Sequence, residues 1–273
     1  MRSGKNKVKI GIVGCGAIGE GVATFIDKQL RSKATLWAIA DKDSEKADFL
    51  IEKLSVVPKI STIDKLVRSV DLVIEAASVE AAGNVLKEAI KFKKDVVILS
   101  VGAFINDTTI IKKCEKQGIN VYVPSGAICG VDGLGSLSLG EIKKISLTTS
   151  KPPRGLQGVD YLKKKNINLS NLKTEKIIFK GGVKEAIKYF PQNINVAAIL
   201  LLASSFKDVE VIIKADPEVK RNIHRIAIDT EEAKINISVE NVPSKINPKT
   251  STLAILSTQY LLKKIFSSFK IGS

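Results

Sequence analysis

In Val8-Lys-Ile-Gly-Ile-Val-Gly-Cys-Gly-Ala-Ile-Gly19, a mostly apolar strand runs into three spaced glycines. Gly14 allows a tight turn out of the strand, Gly16 lets the backbone approach a pyrophosphate, and Gly19 lets the following helix pack closely on the sheet. The free N–H groups at that helix start form an anion site. The next strand-like run, Thr35 to Ala40, ends at Asp41. An acid about 20 residues beyond the glycines accepts hydrogen bonds from an adenosine ribose. Strand, glycines, helix and acid in this order predict a Rossmann-type dinucleotide site. A structural turn in another α/β protein, or a flavin site, is the alternative. Asp41 repels a 2′-phosphate and favours NAD, while Lys42 beside it partly offsets that repulsion and leaves NADP open.

Outward from this stretch, strand and helix alternate. Helices are expected over Ala17 to Leu30, Ser44 to Lys53, Ser61 to Val70, Val79 to Phe92 and Asp107 to Gln117. Strands are expected over Val70 to Ala77, Asp95 to Ser100 and Asn120 to Val123. Continuous apolar strands of this kind mark a parallel sheet covered on both faces. The candidate cofactor contacts of this half are Gly14, Gly16, Ala17, Ile18, Gly19, Asp41 and Ala77.

The rhythm changes after Ser125-Gly126-Ala127. Gly130, Gly133 and Gly135 interrupt a segment compatible with a helix, and Lys143 to Ser150 alternates as a strand. Gly155 to Thr174 is polar, lysine-rich and without a clear pattern. Lys180-Gly-Gly is read as the start of a helix over Val183 to Tyr189, and an apolar helix follows over Asn195 to Ser205. Asp208 to Lys214, Ile223 to Asp229 and Lys234 to Val239 read as strands of a mainly antiparallel sheet, and Thr250 to Phe266 as a long apolar helix. The expected organisation is α/β. It comprises a dinucleotide-binding domain over residues 1–127 and an α+β substrate, catalytic and dimerisation domain over 128–249. The C-terminal helix, 250–273, is a candidate to pack on the first domain. The cleft between the domains is the expected substrate site.

The formal charge is +15, from 43 Lys plus Arg against 28 Asp plus Glu. The lysines lie in amphipathic stretches with no zinc-finger spacing or GXXG loop, so a solvated surface is a better reading than nucleic-acid binding. No apolar run reaches the roughly 20 residues that cross a bilayer. The basic N-terminus leads into the first strand without the apolar stretch of a secretory signal, and the expected location is cytoplasmic. Cys15, Cys114 and Cys129 share no metal-ligand spacing; reduced, mostly buried thiols are expected, and no metal. The wealth of Lys and Ile fits a thermophile.

His224 is the only histidine. Period two puts it on one strand face with Asn222, Ile226 and Ile228, opposite Ile223, Arg225, Ala227 and Asp229. An imidazole there is either a proton-transfer group suited to neutral pH or a satisfied core residue. Asn193 and Asn195 carry amides that orient a nicotinamide carboxamide or, equally, cap a helix. Asn247-Pro-Lys-Thr-Ser251 precedes the last helix. There Lys249, Thr250 and Ser251 with the helix N–H groups form a candidate carboxylate cradle, or Thr250 and Ser251 serve only as caps. Lys151 and Arg154 flank Pro152-Pro153; either suits a substrate carboxylate, and a solvated loop is the equal alternative.

Together these segments resemble the L-aspartate dehydrogenase family. The likeness runs through Gly11-Ile-Val-Gly-Cys-Gly-Ala-Ile-Gly19, Pro124-Ser-Gly-Ala-Ile-Cys-Gly130, Thr149-Ser-Lys-Pro-Pro153, Phe190-Pro-Gln-Asn-Ile-Asn-Val-Ala-Ala198, His224 and Asn247-Pro-Lys-Thr-Ser251, nearly the whole chain. The resemblance implies reversible oxidation of L-aspartate by NAD or NADP, through iminosuccinate, to oxaloacetate and ammonia. It also implies supply of iminoaspartate for NAD biosynthesis, a homodimer, His224 as the catalytic residue, and cofactor contacts from Ala127 and from Asn193 or Asn195. A homoserine or other amino-acid dehydrogenase, and a catalytically silent NAD-binding regulator, are the rival readings.

Overall fold

The computed structural model describes residues 7–190 and 195–272, and it divides into two compact units. One unit runs to Pro124 and takes up Ile255–Phe269. The other holds Ser125–Ala254 and the tail from Lys270.

The first unit follows the alternation of its sequence: β1 (Val8–Val13), α1 (Ala17–Gln29), β2 (Ala34–Ala40), α2 (Ser44–Ile51), β3 (Lys59–Ile60), α3 (Ile63–Ser69), β4 (Leu72–Glu75), α4 (Val79–Phe92), β5 (Asp95–Ile98), α5 (Gly102–Asn106), α6 (Thr109–Lys116) and β6 (Val121–Tyr122). All six strands are parallel, in the order β3-β2-β1-β4-β5-β6. The order reverses between β1 and β4, and in open α/β sheets ligands bind at that switch point, beyond the carboxyl ends of the strands. Ile10, Ile12, Leu36, Ile39, Leu72, Ile74 and Val97 form the sheet's contribution to the core, and Val22, Ala23 and Ile26 are the matching face of α1. Full burial of each large aliphatic side chain contributes about 1.5–3 kcal/mol. On α4, Ala82, Val85, Leu86 and Ala89 make the buried stripe, and the Ser78 hydroxyl caps the helix by accepting from the Ala81 N–H at 3.1 Å.

The second unit contains α7 (Val131–Leu137), β7 (Ile142–Lys151), a 3₁₀ turn at Pro153–Leu156, α8 (Asp160–Lys164), β8 (Lys176–Gly182), α9 (Val183–Tyr189), α10 (Asn195–Ser204), β9 (Glu210–Ala215), β10 (Asn222–Thr230) and β11 (Lys234–Asn241). Its five strands run in the order β11-β10-β7-β9-β8. The β7–β9 pair is parallel and the other three pairs are antiparallel. α11 (Thr252–Ile265) closes the element order. Its Leu262 and Phe266 belong to the core of the first unit, and Gln259 Nε2 donates to the Gly21 carbonyl at 2.9 Å.

Two readings of the sequence need correction. Lys180-Gly181-Gly182 does lead into the expected helix, with Gly182 as the N-cap of α9, but it is also the end of a strand that was not expected, β8, which pairs with β9 across a register shift. The polar stretch after Gly155 is not featureless. Its helix α8 is pinned by Tyr161, whose ring lies 5.1 Å from Phe190, 4.8 Å from Tyr189 and 6.0 Å from Phe179. The thiols are mostly buried, as expected: Cys15 and Cys114 are buried and Cys129 is exposed. No helix among the described residues is long and apolar enough to cross a membrane.

Candidate active site

In the first unit, the glycine turn has the shape its spacing predicts. Gly14 has φ +102°, and a Cβ there would stand 2.6 Å from the Ala76 carbonyl oxygen. A Cβ on Gly19 would collide with the Gly14 carbonyl, while one on Gly16 would meet nothing within 4 Å. The open space at exposed Gly16 leaves room for a diphosphate to approach the backbone. The first helical hydrogen bond of α1 joins the Glu20 N–H to the Gly16 carbonyl. Ala17, Ile18 and Gly19 therefore present N–H groups that have no acceptor within the helix. Asp41 sits at the end of β2 and is tied to this turn: its carboxylate accepts from the Cys15 N–H at 2.6 Å and the Asp43 N–H at 2.9 Å. Burial, with the Asp41 charge adding, pushes the Cys15 thiol up to about 12, so it stays protonated within the loop. These residues fit a dinucleotide: a cradle without side chains, donors for a diphosphate, and an acid for a ribose.

Ala77 lies in the exposed turn after β4. A residue not singled out by sequence shapes that turn. Glu75 is fully buried and accepts from the N–H groups of Ala77 (2.8 Å), Ser78 (3.0 Å) and Ser100 (3.0 Å), and from the Ser100 hydroxyl (2.9 Å). Burial pushes its carboxyl up, against the pull of those four bonds. The signal was present in the sequence as one acid inside an otherwise apolar strand, Leu72-Val-Ile-Glu75.

In the second unit, one face of the sheet is apolar over most of its length and polar at one end. Ile145, Ile228 and Ile235 form one row across β7, β10 and β11, and Leu147, Ile226 and Ile237 the next. Thr149, His224 and Val239 follow. Beyond them lie Lys151, with Asn222 opposite Asn241. Thr149, Lys151, His224 and Asn241 are all buried. A buried polar group costs stability unless it is bonded, so a cluster of them marks a place where something other than packing is served.

His224 is 6% exposed, and its Nδ1 lies 3.0 Å from the Thr149 hydroxyl. Burial, with the Lys151 charge adding, pushes the imidazole down from 6.5 to about 4. At neutral pH it is uncharged and able to accept a proton. Lys151 is not part of a solvated loop: it is the last residue of β7, 6% exposed, and burial pushes its ammonium down to about 8.

Ala127 is half-buried, and its carbonyl accepts from Asn241 Nδ2 at 3.0 Å. The Asn241 Oδ1 accepts in turn from the Ser251 hydroxyl, whose oxygen also accepts from the Leu253 N–H as the cap of α11. Thr250 is half-buried; Lys249 is exposed, its N–H donating to Asn247 Oδ1 at 3.0 Å. Asn195 is exposed at the start of α10, and Asn193 lies outside the described residues. Asn241 and Thr149 were missed by sequence reasoning. Their partners are 114 and 75 residues away, and nothing local announces them. Among the described residues no three His, Cys, Asp or Glu side chains gather as a metal site.

A parallel sheet with a glycine turn at its switch point, and a second body whose sheet buries one histidine, define a two-domain NAD(P)-dependent dehydrogenase. The L-aspartate dehydrogenases of Methanosarcina acetivorans and Methanosarcina barkeri are 42% and 40% identical to this chain over 271 residues, spanning 97% of it and 100% of each relative. The chain belongs to the L-aspartate dehydrogenase family. Residues 132–265 match the family described as aspartate dehydrogenase, C-terminal, and residues 14–124 match the NAD binding domain of homoserine dehydrogenase. The crystal structure of aspartate dehydrogenase from Thermotoga maritima superposes with a TM-score of 0.78 at 26% identity, covering 98% of this chain and 100% of that one. Scyllo-inositol dehydrogenase from Lactobacillus casei, at 16% identity and a TM-score of 0.56, shares the fold.

Proposed function

We propose that this protein catalyses the reversible NAD(P)-dependent oxidation of L-aspartate, through iminosuccinate, to oxaloacetate and ammonia. The observation that carries this reading is the lone imidazole. His224 is buried, uncharged at neutral pH, and held through one nitrogen at the polar end of an apolar sheet face. The bound nicotinamide supplies the acceptor for the hydride of the aspartate α-carbon. The N–H groups of Ala17, Ile18 and Gly19 would hold the diphosphate in the open space at Gly16, with Gly14 making the tight turn, and Asp41 would take the adenosine ribose. This arrangement favours NAD; Lys42 is the residue that would admit NADP. Ala77, Ala127 and one of Asn193 and Asn195 complete the cofactor contacts. Lys151, Lys249, Thr250 and Ser251 serve the two substrate carboxylates.

His224 manages the proton at the imine stage. Its free nitrogen takes a proton from water as the water oxygen bonds to the imine carbon, and the C=N electron pair moves to nitrogen. The same nitrogen returns that proton to the amine, the C–N electron pair leaves with ammonia as the carbonyl forms, and the hydroxyl proton passes through the imidazole to the departing ammonia, giving ammonium from a protonated imine and water. A positioned general base of this kind contributes about 10²–10⁴-fold in rate.

The reading extends to a cytoplasmic homodimer that supplies iminoaspartate for NAD biosynthesis, and sedimentation checks the dimer. A screen of amino acids with NAD and NADP tests the activity. Aspartate-dependent NADH formation without homoserine turnover is expected. His224→Asn should lose far more in kcat than in cofactor affinity, and turnover at the wild-type rate in that variant would remove the histidine from the mechanism.

A further inference from the structure

We infer that Thr149 is a positioning residue for His224: its hydroxyl accepts the Nδ1 proton and so leaves the lone pair of the neutral ring on Nε2. This rests on the reading of His224 as the proton-transfer group.

The two residues are direct partners in the antiparallel β7–β10 ladder, with side chains on the same buried side. Thr149 Oγ1 lies 3.0 Å from His224 Nδ1, and the residues are 4% and 6% exposed. The opposite neighbour of His224 is Val239 on β11, and the next partner of Thr149 is Ile213 on β9; neither side chain can bond the ring. The Thr149 hydroxyl thus holds the ring at Nδ1, which leaves Nε2 as the nitrogen for chemistry.

The direction of the bond follows from what the ring must do. If Thr149 donated to Nδ1, the single hydrogen of the neutral ring would sit on Nε2, and that nitrogen could not take a proton from water. With Nδ1–H donating to Thr149, Nε2 is open. When it is protonated both ring nitrogens are donors, and the threonine oxygen accepts as before. The proton enters and leaves at Nε2 while the other bond stays in place, so no group reorients during the reaction. A hydroxyl suits this better than a carboxylate. It fixes the tautomer without adding a negative charge that would hold the ring in its protonated, inactive form.

The chain's single histidine makes the test unambiguous. Protein labelled with ¹⁵N-histidine should show a protonated Nδ1 and an unprotonated Nε2 at neutral pH. In Thr149→Val, which keeps shape and strand propensity, the tautomer preference should be lost. The kcat for aspartate oxidation should fall roughly ten- to a hundredfold, as when the outer partner of a functional histidine is removed, with KM for NAD changed by less than about twofold. Thr149→Ser should restore both the spectrum and most of the rate. A wild-type spectrum with the hydrogen on Nε2 overturns the inference whatever the variants do. So does a Thr149→Val protein with an unchanged ring pattern, whether or not it is active. If the spectra are as expected but His224→Asn turns over normally, the failure lies in the reading of His224, and the positioning role falls with it.

Discussion

Two buried groups on one sheet face set the acid–base behaviour of the second unit. His224 is pushed from 6.5 to about 4, by burial first and by the charge of Lys151 second. Between those values the unfolded chain binds a proton that the folded chain does not, so stability rises with pH across this window. The contribution is complete above about pH 6.5 and is lost as pH falls toward 4, amounting to about 3 kcal/mol at 1.36 kcal/mol per unit. Urea unfolding at pH 6.5 and pH 5 should show about half of this loss, and His224→Asn should lack it; equal slopes in the two proteins would contradict the buried neutral ring. Because Lys151 adds to the shift, Lys151→Met should move the imidazole titration back toward 6.5 in an NMR titration and raise KM for aspartate. An unmoved titration would separate the two groups electrostatically. The glycine turn allows a cleaner contrast between folding and binding. In Gly16→Ala the new methyl meets no atom within 4 Å, so stability should stay within about 0.5 kcal/mol while NAD affinity falls. Gly14→Ala, at φ +102° and against the Ala76 carbonyl, should lose both. Calorimetric NAD titration beside thermal melts distinguishes the two patterns.

At the scale of elements, Asn241 at the end of β11 joins segments distant in sequence. It donates to Ala127 in the loop before α7 and accepts from Ser251 at the start of α11. Asn241→Ala leaves a buried carbonyl and a cap hydroxyl without their partner, which should cost about 1–3 kcal/mol. Since Ala127 is a proposed cofactor contact, KM for NAD should rise as well; an unchanged denaturation midpoint would mean that the junction carries no load. This junction also explains what the sequence could and could not disclose. β1, β2, β4 and β5 were readable because a strand buried on both faces is a continuous apolar run. The His224 face was readable because period two needs only local information. β8 was misread because Gly181 and Gly182 imitate a break, and its strand character comes from pairing with β9. The two-residue β3 and the five-residue α5 are too short to carry a period. Glu75 was visible as an anomaly without an explanation, because its donors come from two different turns. Thr149 looked like any residue of an alternating strand until the register set it opposite His224.

At the scale of the whole molecule, the excess of 15 positive charges meets a substrate with two carboxylates and a net negative charge, and an anionic cofactor. Much of that charge is solvated: Lys163, Lys143 and Lys234 pair with acids on the surface while remaining largely exposed. Exposed pairs of this kind contribute about 0–1 kcal/mol each and are screened by salt. They therefore do little for stability, but their summed field acts on an approaching anion beyond contact range. The buried Lys151 differs, because little solvent screens a charge inside the sheet face. These two kinds of charge separate under salt. Raising ionic strength from about 0.05 M to about 0.5 M shortens the screening length from about 14 Å to about 4 Å. That change should lower kcat/KM for aspartate through a rising KM while leaving kcat nearly constant, since the proton transfer proposed for the buried His224 would occur where salt does not reach. Steady-state kinetics in sodium chloride and in a second, chemically different salt distinguish screening from specific ion binding. A kcat that falls in parallel with kcat/KM would place the salt-sensitive step in the chemistry and argue against a purely steering role for the surface charge.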